Sequence, residues 1–251
     1  MKPVTGNTPS LTPLPVESKY WARPEDRQAI VNGMFDRSAR HYDRVSEIMA
    51  FGTGRHYRRS ALTRAGLRPG QVVLDVGTGT GLVAREAAAI VGLRGVIGVD
   101  PSLQMMTAGR DRTDVRLVRG VGEALPFAGG TFDFVTMGYA LRHVSDLDRL
   151  FAEYARVLRP GGRVLLLEIT KPASAIGTAV ASAYFGTMVP WMARLTTGSA
   201  DASRLMRFYW DTIADCVGPP VILTALERAG FTADRKVSAG IFSEYAGTRN
   251  P

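Results

Sequence analysis

Two acids and a run of glycines are spaced to hold a nucleoside. Asp75 follows the apolar stretch Val72-Val73-Leu74 and precedes Gly77-Thr78-Gly79-Thr80-Gly81; Asp100 ends a second stretch, Val96-Ile97-Gly98-Val99. A carboxylate at the end of a strand can accept hydrogen bonds from both hydroxyls of a ribose, the role expected of Asp100. The acid ahead of the turn would repel a pyrophosphate but suits a ligand carrying an ammonium group, such as S-adenosylmethionine. The glycines let the backbone take φ > 0 and let a ligand come close. No glycine stands where a dinucleotide fingerprint needs its third, and no Gly-Lys-Ser/Thr follows as in a phosphate-binding P-loop. An ordinary strand-to-helix turn with a capping acid would account for one of the acids but not for both.

The surrounding residues supply the scaffold. Leu82 to Val91 places apolar residues at 83, 87, 90 and 91, one face of a helix that Gly92 stops. Strand, turn and helix make the first unit of a nucleotide-binding α/β sheet. Further strands are expected over Asp114–Val118, Thr131–Met137 and Arg163–Ile169, the last apolar enough to lie inside the sheet. A helix over Leu147–Leu158 ends at Arg159-Pro160-Gly161-Gly162. Pro24 to Phe35 has helix character, and amphipathic segments ahead of such a sheet commonly cover its ligand crevice. Tyr42 is then placed to hydrogen-bond a ligand or to pack the lid, whereas His41 reads as solvated.

Composition narrows the class. The chain has 251 residues, 45% of them apolar, enough for one α/β domain with additions. Its single cysteine, Cys216, excludes a disulfide framework and a multi-cysteine zinc site and suits a reducing cytoplasm. No ligand cluster suggests a metal. No apolar run approaches a membrane span. Residues 1–20, rich in Pro, Thr and Ser, read as a disordered tail with no signal-peptide core. A net charge of +8 suits an anionic partner, but the arginines are scattered and no basic-aromatic strip marks a nucleic-acid surface.

The sequence resembles the family of C-methyltransferases that methylate the ring in ubiquinone and menaquinone biosynthesis, from about Met34 to Arg249. The resemblance is carried by Phe35…Tyr42-Asp43, Met49-Ala50-Phe51-Gly52, the glycine turn, Glu123-Ala124-Leu125-Pro126-Phe127 and Leu141-Arg142-His143-Val144. Leu158-Arg159-Pro160-Gly161-Gly162, Leu167-Glu168-Ile169-Thr170-Lys171-Pro172 and the closing Ala229-Gly230-Phe231…Ala239-Gly240-Ile241 complete it. It implies a Rossmann-like class I methyltransferase fold: a seven-stranded, mostly parallel sheet with helices on both faces and a helical cap. One methyltransferase domain would span 21–251, with a helical lid at 24–66, an S-adenosylmethionine-binding core at 67–170, a substrate cap at 171–220, and a helix with an antiparallel strand pair at 221–251. The cofactor would meet Asp75, Gly77, Gly79, Thr80, Gly81 and Asp100, with Val121, Gly122 and Glu123 along the adenine and Gly138 opposite. Relatives usually carry Asn or Asp at Val121, Ser at Gly138 and Asn at His143.

The acceptor is expected among Met and aromatic side chains of the cap, which adapt to irregular apolar shapes: Tyr184, Met188, Trp191, Phe208 and Tyr209. A family Tyr-x-Tyr-Leu motif has become Phe208-Tyr209-Trp210 in this region, which leaves open a secondary-metabolite methyltransferase acting on oxygen, nitrogen or carbon. The favoured reaction is ring C-methylation of a prenylated quinol. A ring carbon becomes nucleophilic when a phenolic hydroxyl loses its proton, so Arg142 is expected to stabilise the phenolate and His143 to serve as base, with Tyr42 beside them. On that reading Arg142→Ala cuts turnover and spares cofactor binding. The basic surface would help the enzyme, cytoplasmic and peripheral at the inner membrane face, meet an anionic membrane. No nucleic acid is expected as a partner, and a homodimer is left open.

Overall fold

Val73–Val76 (β1) is buried throughout, because a short apolar strand between two glycine-bearing turns can satisfy its backbone only inside a sheet. A computed structural model describes residues 11–15 and 18–251. Val96–Asp100 (β2) and Arg116–Arg119 (β3) add in parallel on one side of β1; Phe132–Gly138 (β4) and Leu158–Ile169 (β5) add on the other. Phe231–Ser238 (β6) and Phe242–Arg249 (β7) close the sheet in the order β3-β2-β1-β4-β5-β7-β6, with β7 antiparallel to both neighbours. This is the expected seven-stranded, mostly parallel sheet. The chain runs outward from β1 to β3 and then returns to β4. A crevice therefore opens beyond the C-terminal ends of β1 and β4, where open α/β sheets bind ligands.

Helices Leu82–Val91 (α3) and Leu103–Arg110 (α4) connect the first three strands. Leu147–Val157 (α5) buries Leu147, Leu150, Phe151, Tyr154 and Val157, an i, i+3, i+4, i+7 face, and Asp146 caps it by accepting from the amides of Asp148 and Arg149. Gly54–Arg64 (α2) packs against α3. Arg27–Met49 (α1) is far longer than the helix read at 24–35, since nothing in the sequence beyond Phe35 breaks it and its later turns are anchored by Asp43. The third strand starts two residues later than expected. In β5, Leu158 pairs with Phe132 and Arg163 with Phe134, so the Pro160-Gly161-Gly162 turn loops out within the strand rather than preceding it.

Ala175–Ala181 (α6), a π-helical stretch Ser182–Met188, Val189–Thr197 (α7) and Ala200–Asp215 (α8) form the cap between β5 and the last helix, Pro219–Arg228 (α9). The cap has its own core, in which Leu205, Phe208 and Ile213 of α8 meet Val31 and Met34 of α1. The expectation of a disordered tail through residue 20 does not hold for the part that is described. Leu14 is buried, Val217 N–H donates to the Pro13 carbonyl at 2.9 Å, Leu147 N–H donates to the Leu11 carbonyl at 3.0 Å, and the Tyr20 hydroxyl donates to Asp211. Apolar residues at 11 and 14 give this segment something to bury. Residues 1–10, 16 and 17 lie outside the described residues.

Candidate active site

The crevice is built from the turns that follow β1, β2 and β4. At Gly77, φ is +65°, and a Cβ there would sit 2.7 Å from the Ala140 Cβ; at Gly138 it would sit 2.6 Å from a Val83 methyl. Both positions require glycine, the first for the turn after β1 to pack on the segment after β4 and the second for β4 to pack on α3. The cavity between them is lined by Gly77, Gly79, Asp100, Val121, Gly122, Glu123 and Gly138, with Phe35 and Tyr42 of α1 above. These are most of the residues expected at the cofactor.

Asp100 is held from both sides: one carboxylate oxygen accepts from Gly79 N–H at 2.7 Å and the other from Ser102 N–H at 2.8 Å. Each oxygen keeps a lone pair for a vicinal diol. Burial pushes its pKa up to about 6, above the ordinary value of about 3.9. In the free protein that raised value means ionisation works against folding as pH rises from about 4 to about 6. Donated ribose hydroxyls favour the ionised form, so nucleoside affinity should weaken as pH falls through about 6. Asp100→Asn should weaken binding of S-adenosylhomocysteine about ten- to hundredfold and flatten that pH dependence, as read by calorimetry. Undiminished affinity in the variant would remove Asp100 from the ligand.

Asp75, Thr80 and Gly81, also expected at the cofactor, are not among the cavity walls. Asp75 is buried beneath the turn and accepts from the Thr78 hydroxyl at 2.7 Å, Ala84 N–H at 3.1 Å and the Thr136 hydroxyl at 3.1 Å. It shapes the glycine turn from below and is only 1% exposed; burial pushes its pKa up to about 6. The Thr80 hydroxyl donates to Asp43, which also pairs with Arg112 at 2.7 Å and Arg85 at 3.1 Å, so Thr80 serves as the fastening of α1. Gly81 caps α3 beside Thr113. Val121 lies on the rim, its backbone bridged to Ala124, and Glu123 accepts from Ser145 N–H at 2.6 Å.

A second cavity adjoins the first and is mostly apolar, with Met49, Tyr57, Arg58, Ile169, Phe185 and Phe242 among its walls. Tyr42, Tyr139 and Tyr209 line both cavities and form the partition. The hydroxyls of Tyr42 and Tyr209 lie 2.6 Å apart. Tyr139 adopts φ +61°, a strained backbone for a side-chain-bearing residue, which aims its ring along the partition. Nothing in the sequence marked Tyr139, Tyr57 or Arg58 as wall residues, because the elements that bring them together are distant in the chain.

The expected catalytic pair divides. Arg142 is only 1% exposed and is not among the cavity walls. It donates to Glu168 at 2.8 Å and to the Tyr139 carbonyl at 2.9 Å, contacts the Thr212 hydroxyl at 3.2 Å, and lies 4.2 Å from the centre of the Tyr209 ring. Its charge is met by a buried carboxylate, so it supports the partition from behind rather than facing an acceptor. His143 does line the cofactor cavity, stacked on Phe208 at 5.5 Å and edge-on to Phe35 at 5.2 Å. Neither ring nitrogen has a hydrogen-bond partner. Burial, reinforced by the charges of Arg142 and Arg27, holds its pKa well below the ordinary histidine range, so the imidazole is neutral and can hold a proton only transiently.

Of the expected acceptor residues, Tyr209 lines these two cavities and the other four line neither. Phe208 is fully buried between Tyr20 and His143. Tyr184 is half-buried, donates to the Met49 carbonyl at 3.2 Å and stacks on Phe51. Met188 and Trp191 point to solvent, because the cap turns Phe185, Val189 and Ala193 inward instead.

Comparison with known proteins agrees with this geometry. The model of the ubiE/COQ5 methyltransferase family matches residues 23–249. A ubiquinone/menaquinone biosynthesis C-methyltransferase, UbiE, of Teredinibacter turnerae is 32% identical, covering 89% of this chain and 93% of that protein. Its counterpart in a Marinomonas species is 34% identical, covering 89% and 92%. Among solved structures, a SAM-dependent methyltransferase from Thermotoga maritima superposes with a TM-score of 0.62 at 21% identity, covering 87% of this chain and 99% of that one. An S-adenosylmethionine-dependent methyltransferase from Mesorhizobium loti gives 0.54 at 18%, covering 76% and 96%. The structural likenesses show the fold.

Proposed function

Since the chain belongs to the ubiE/COQ5 methyltransferase family and is an S-adenosylmethionine-dependent methyltransferase, we propose that it methylates a ring carbon of a prenylated quinol. The observation that carries the proposal is the apolar second cavity, separated from the glycine-lined first cavity only by Tyr42, Tyr139 and Tyr209. The first cavity fits the cofactor: close-packed glycines leave room for its chain, and Asp100 offers two acceptors to a ribose. S-adenosylmethionine, when bound, supplies an electrophilic methyl group on its sulfonium. The protein's own work is to align the acceptor carbon, exclude water and take up a proton. In this reading neutral His143 accepts the phenolic proton while the ring carbon is alkylated, and returns it to the ring oxygen when the displaced C–H proton of the ring leaves to solvent. The Tyr42–Tyr209 hydroxyl pair orients the same oxygen, and Arg142, through the Tyr209 ring, favours negative charge nearby.

The test is methyl transfer from labelled S-adenosylmethionine to a reduced, short-chain prenylated quinol lacking the ring methyl, with products resolved by mass. A ring-methylated product is expected. Transfer to oxygen, or cofactor binding with no transfer to any quinol, would overturn the substrate and favour a secondary-metabolite acceptor.

A prenylated substrate resides in lipid, and we extend the proposal to peripheral contact with an anionic membrane face on the cytoplasmic side. Among the described residues no helix is long and apolar enough to cross a membrane. Ile176, Val180, Met188, Trp191 and Leu195 nevertheless stay exposed along α6, the π-helical stretch and α7, and Phe51 beside them is 74% exposed. Residues 171–199 carry Lys171 and Arg194 and no acid, which matches an anionic leaflet. The protein should float with vesicles containing phosphatidylglycerol, less so at high salt, and Trp191→Glu with Leu195→Glu should abolish flotation. Equal flotation of that variant would overturn this surface.

A further inference from the structure

Four arginines project from α2, and three of them are ion-paired. Arg55 and Arg59 share Glu86 at 3.0 and 2.8 Å, and Arg64 pairs with Glu244 at 2.6 Å. Arg58 has no such partner: among the described residues no carboxylate lies within ion-pairing distance of it, and its Nε is buried without a hydrogen bond. The residue is 7% exposed and forms part of the wall of the apolar second cavity. Its guanidinium folds back over Gly54, where a Cβ would come within 2.9 Å of Nη1. Arg58 lines this cavity together with Tyr139, one of the three tyrosines of the partition.

A cation held against apolar side chains with no counter-ion is unfavourable for folding. Such a group is tolerated where a ligand completes it. We infer that Arg58 is the anion-recognising residue of the second cavity, pairing with a negatively charged oxygen on an aromatic acceptor. The oxygen is a ring phenolate or a ring carboxylate, two sources that share the chemistry of a planar donor fork meeting an oxyanion. The inference rests on the proposed function only in taking the second cavity as the acceptor's. For a quinol, it assigns the two ring oxygens to different partners: one toward His143 and the tyrosine pair, the other to Arg58. This recognises the ring by its charge and leaves any apolar tail to Met49, Ile169, Phe185 and Phe242.

Binding, not turnover, decides the question. Naphthoate, an acidic nitro-substituted naphtholate and neutral naphthalenemethanol are titrated by calorimetry into the full chain saturated with S-adenosylhomocysteine. Arg58→Met should weaken one or both anions about ten- to hundredfold and leave the neutral probe unchanged, with part of the affinity restored in Arg58→Lys. Loss for the naphtholate alone identifies a phenolate site, and loss for the naphthoate alone a carboxylate site. Thermal unfolding supplies the second reading. Because the variant relieves an unpaired buried charge, its midpoint in the absence of ligand should hold or rise, whereas a structural arginine would lower it. Equal weakening of all three probes, no weakening of either anion, or a lowered midpoint without selective loss would overturn the assignment. If the anions bind through Arg58 while no quinol is methylated, the proposed substrate fails and the subsite stands.

Discussion

His143→Ala is expected to lower kcat about 10²- to 10⁴-fold while leaving the affinity for S-adenosylhomocysteine nearly intact. The imidazole is among the walls of the cofactor cavity, gripped by two aromatic rings, and both its nitrogens are buried without a hydrogen-bond partner. Its depressed pKa has two consequences of determinate sign. Turnover should stay level as pH falls through the ordinary histidine range, because the base form persists. Folding stability should decline over the same range, since the unfolded chain, with a histidine pKa of about 6.5, takes up a proton that the folded protein refuses. The variant should lose that slope in pH-dependent thermal unfolding. His143→Asn separates orientation from proton transfer, because an amide can hold a hydroxyl but cannot take its proton. It should fall as far as the alanine variant; full turnover in the Asn protein would reduce His143 to an orienting group.

The second large effect concerns Arg142 and Glu168. Removing one member of a buried ion pair strands the other's charge, a loss of about 3–5 kcal/mol. For a chain of this size that corresponds to roughly 6–20 °C in Tm. Glu168→Gln or Arg142→Met should therefore lower the midpoint strongly, and Arg142→Met combined with Glu168→Leu should recover much of it. Glu168 also accepts from Leu141 N–H at 2.9 Å, and Arg142 holds the Tyr139 carbonyl, so both cavities should loosen together. Cofactor affinity should then drop along with turnover, contrary to the sequence-based expectation for Arg142. A stable Arg142→Ala protein, binding cofactor normally but inactive, would restore the direct catalytic role.

That reversal shows what the sequence could and could not disclose. The glycine turn, Asp100 and the β1–α3 unit depend on neighbours within a few residues, and their geometry followed from local pattern. Arg142 and Glu168 stand on different elements, β5 was readable only as an apolar strand, and no spacing announces that its acid neutralises an arginine after β4. Thr80 was lost to Asp43 for the same reason. The cap misled in another way. Large Met and Trp side chains suggested the inward face, but Phe185, Val189 and Ala193 fill the space against α8 and leave Met188 and Trp191 outside. Amphipathic period gives two faces and does not say which one meets protein. Arg58 was hidden among like residues, since a cation without a partner looks the same in sequence as one with a partner.

Helix α1 contributes Phe35 and Tyr42 to the first cavity and Tyr42, Ser46 and Met49 to the second, and Asp43 fastens it to the glycine turn through Thr80, Arg85 and Arg112. One rigid rod thus bounds two chambers, and its clasp sits between them. Any displacement of α1 would consequently alter the walls of both chambers at once, so occupancy of one would be felt in the other.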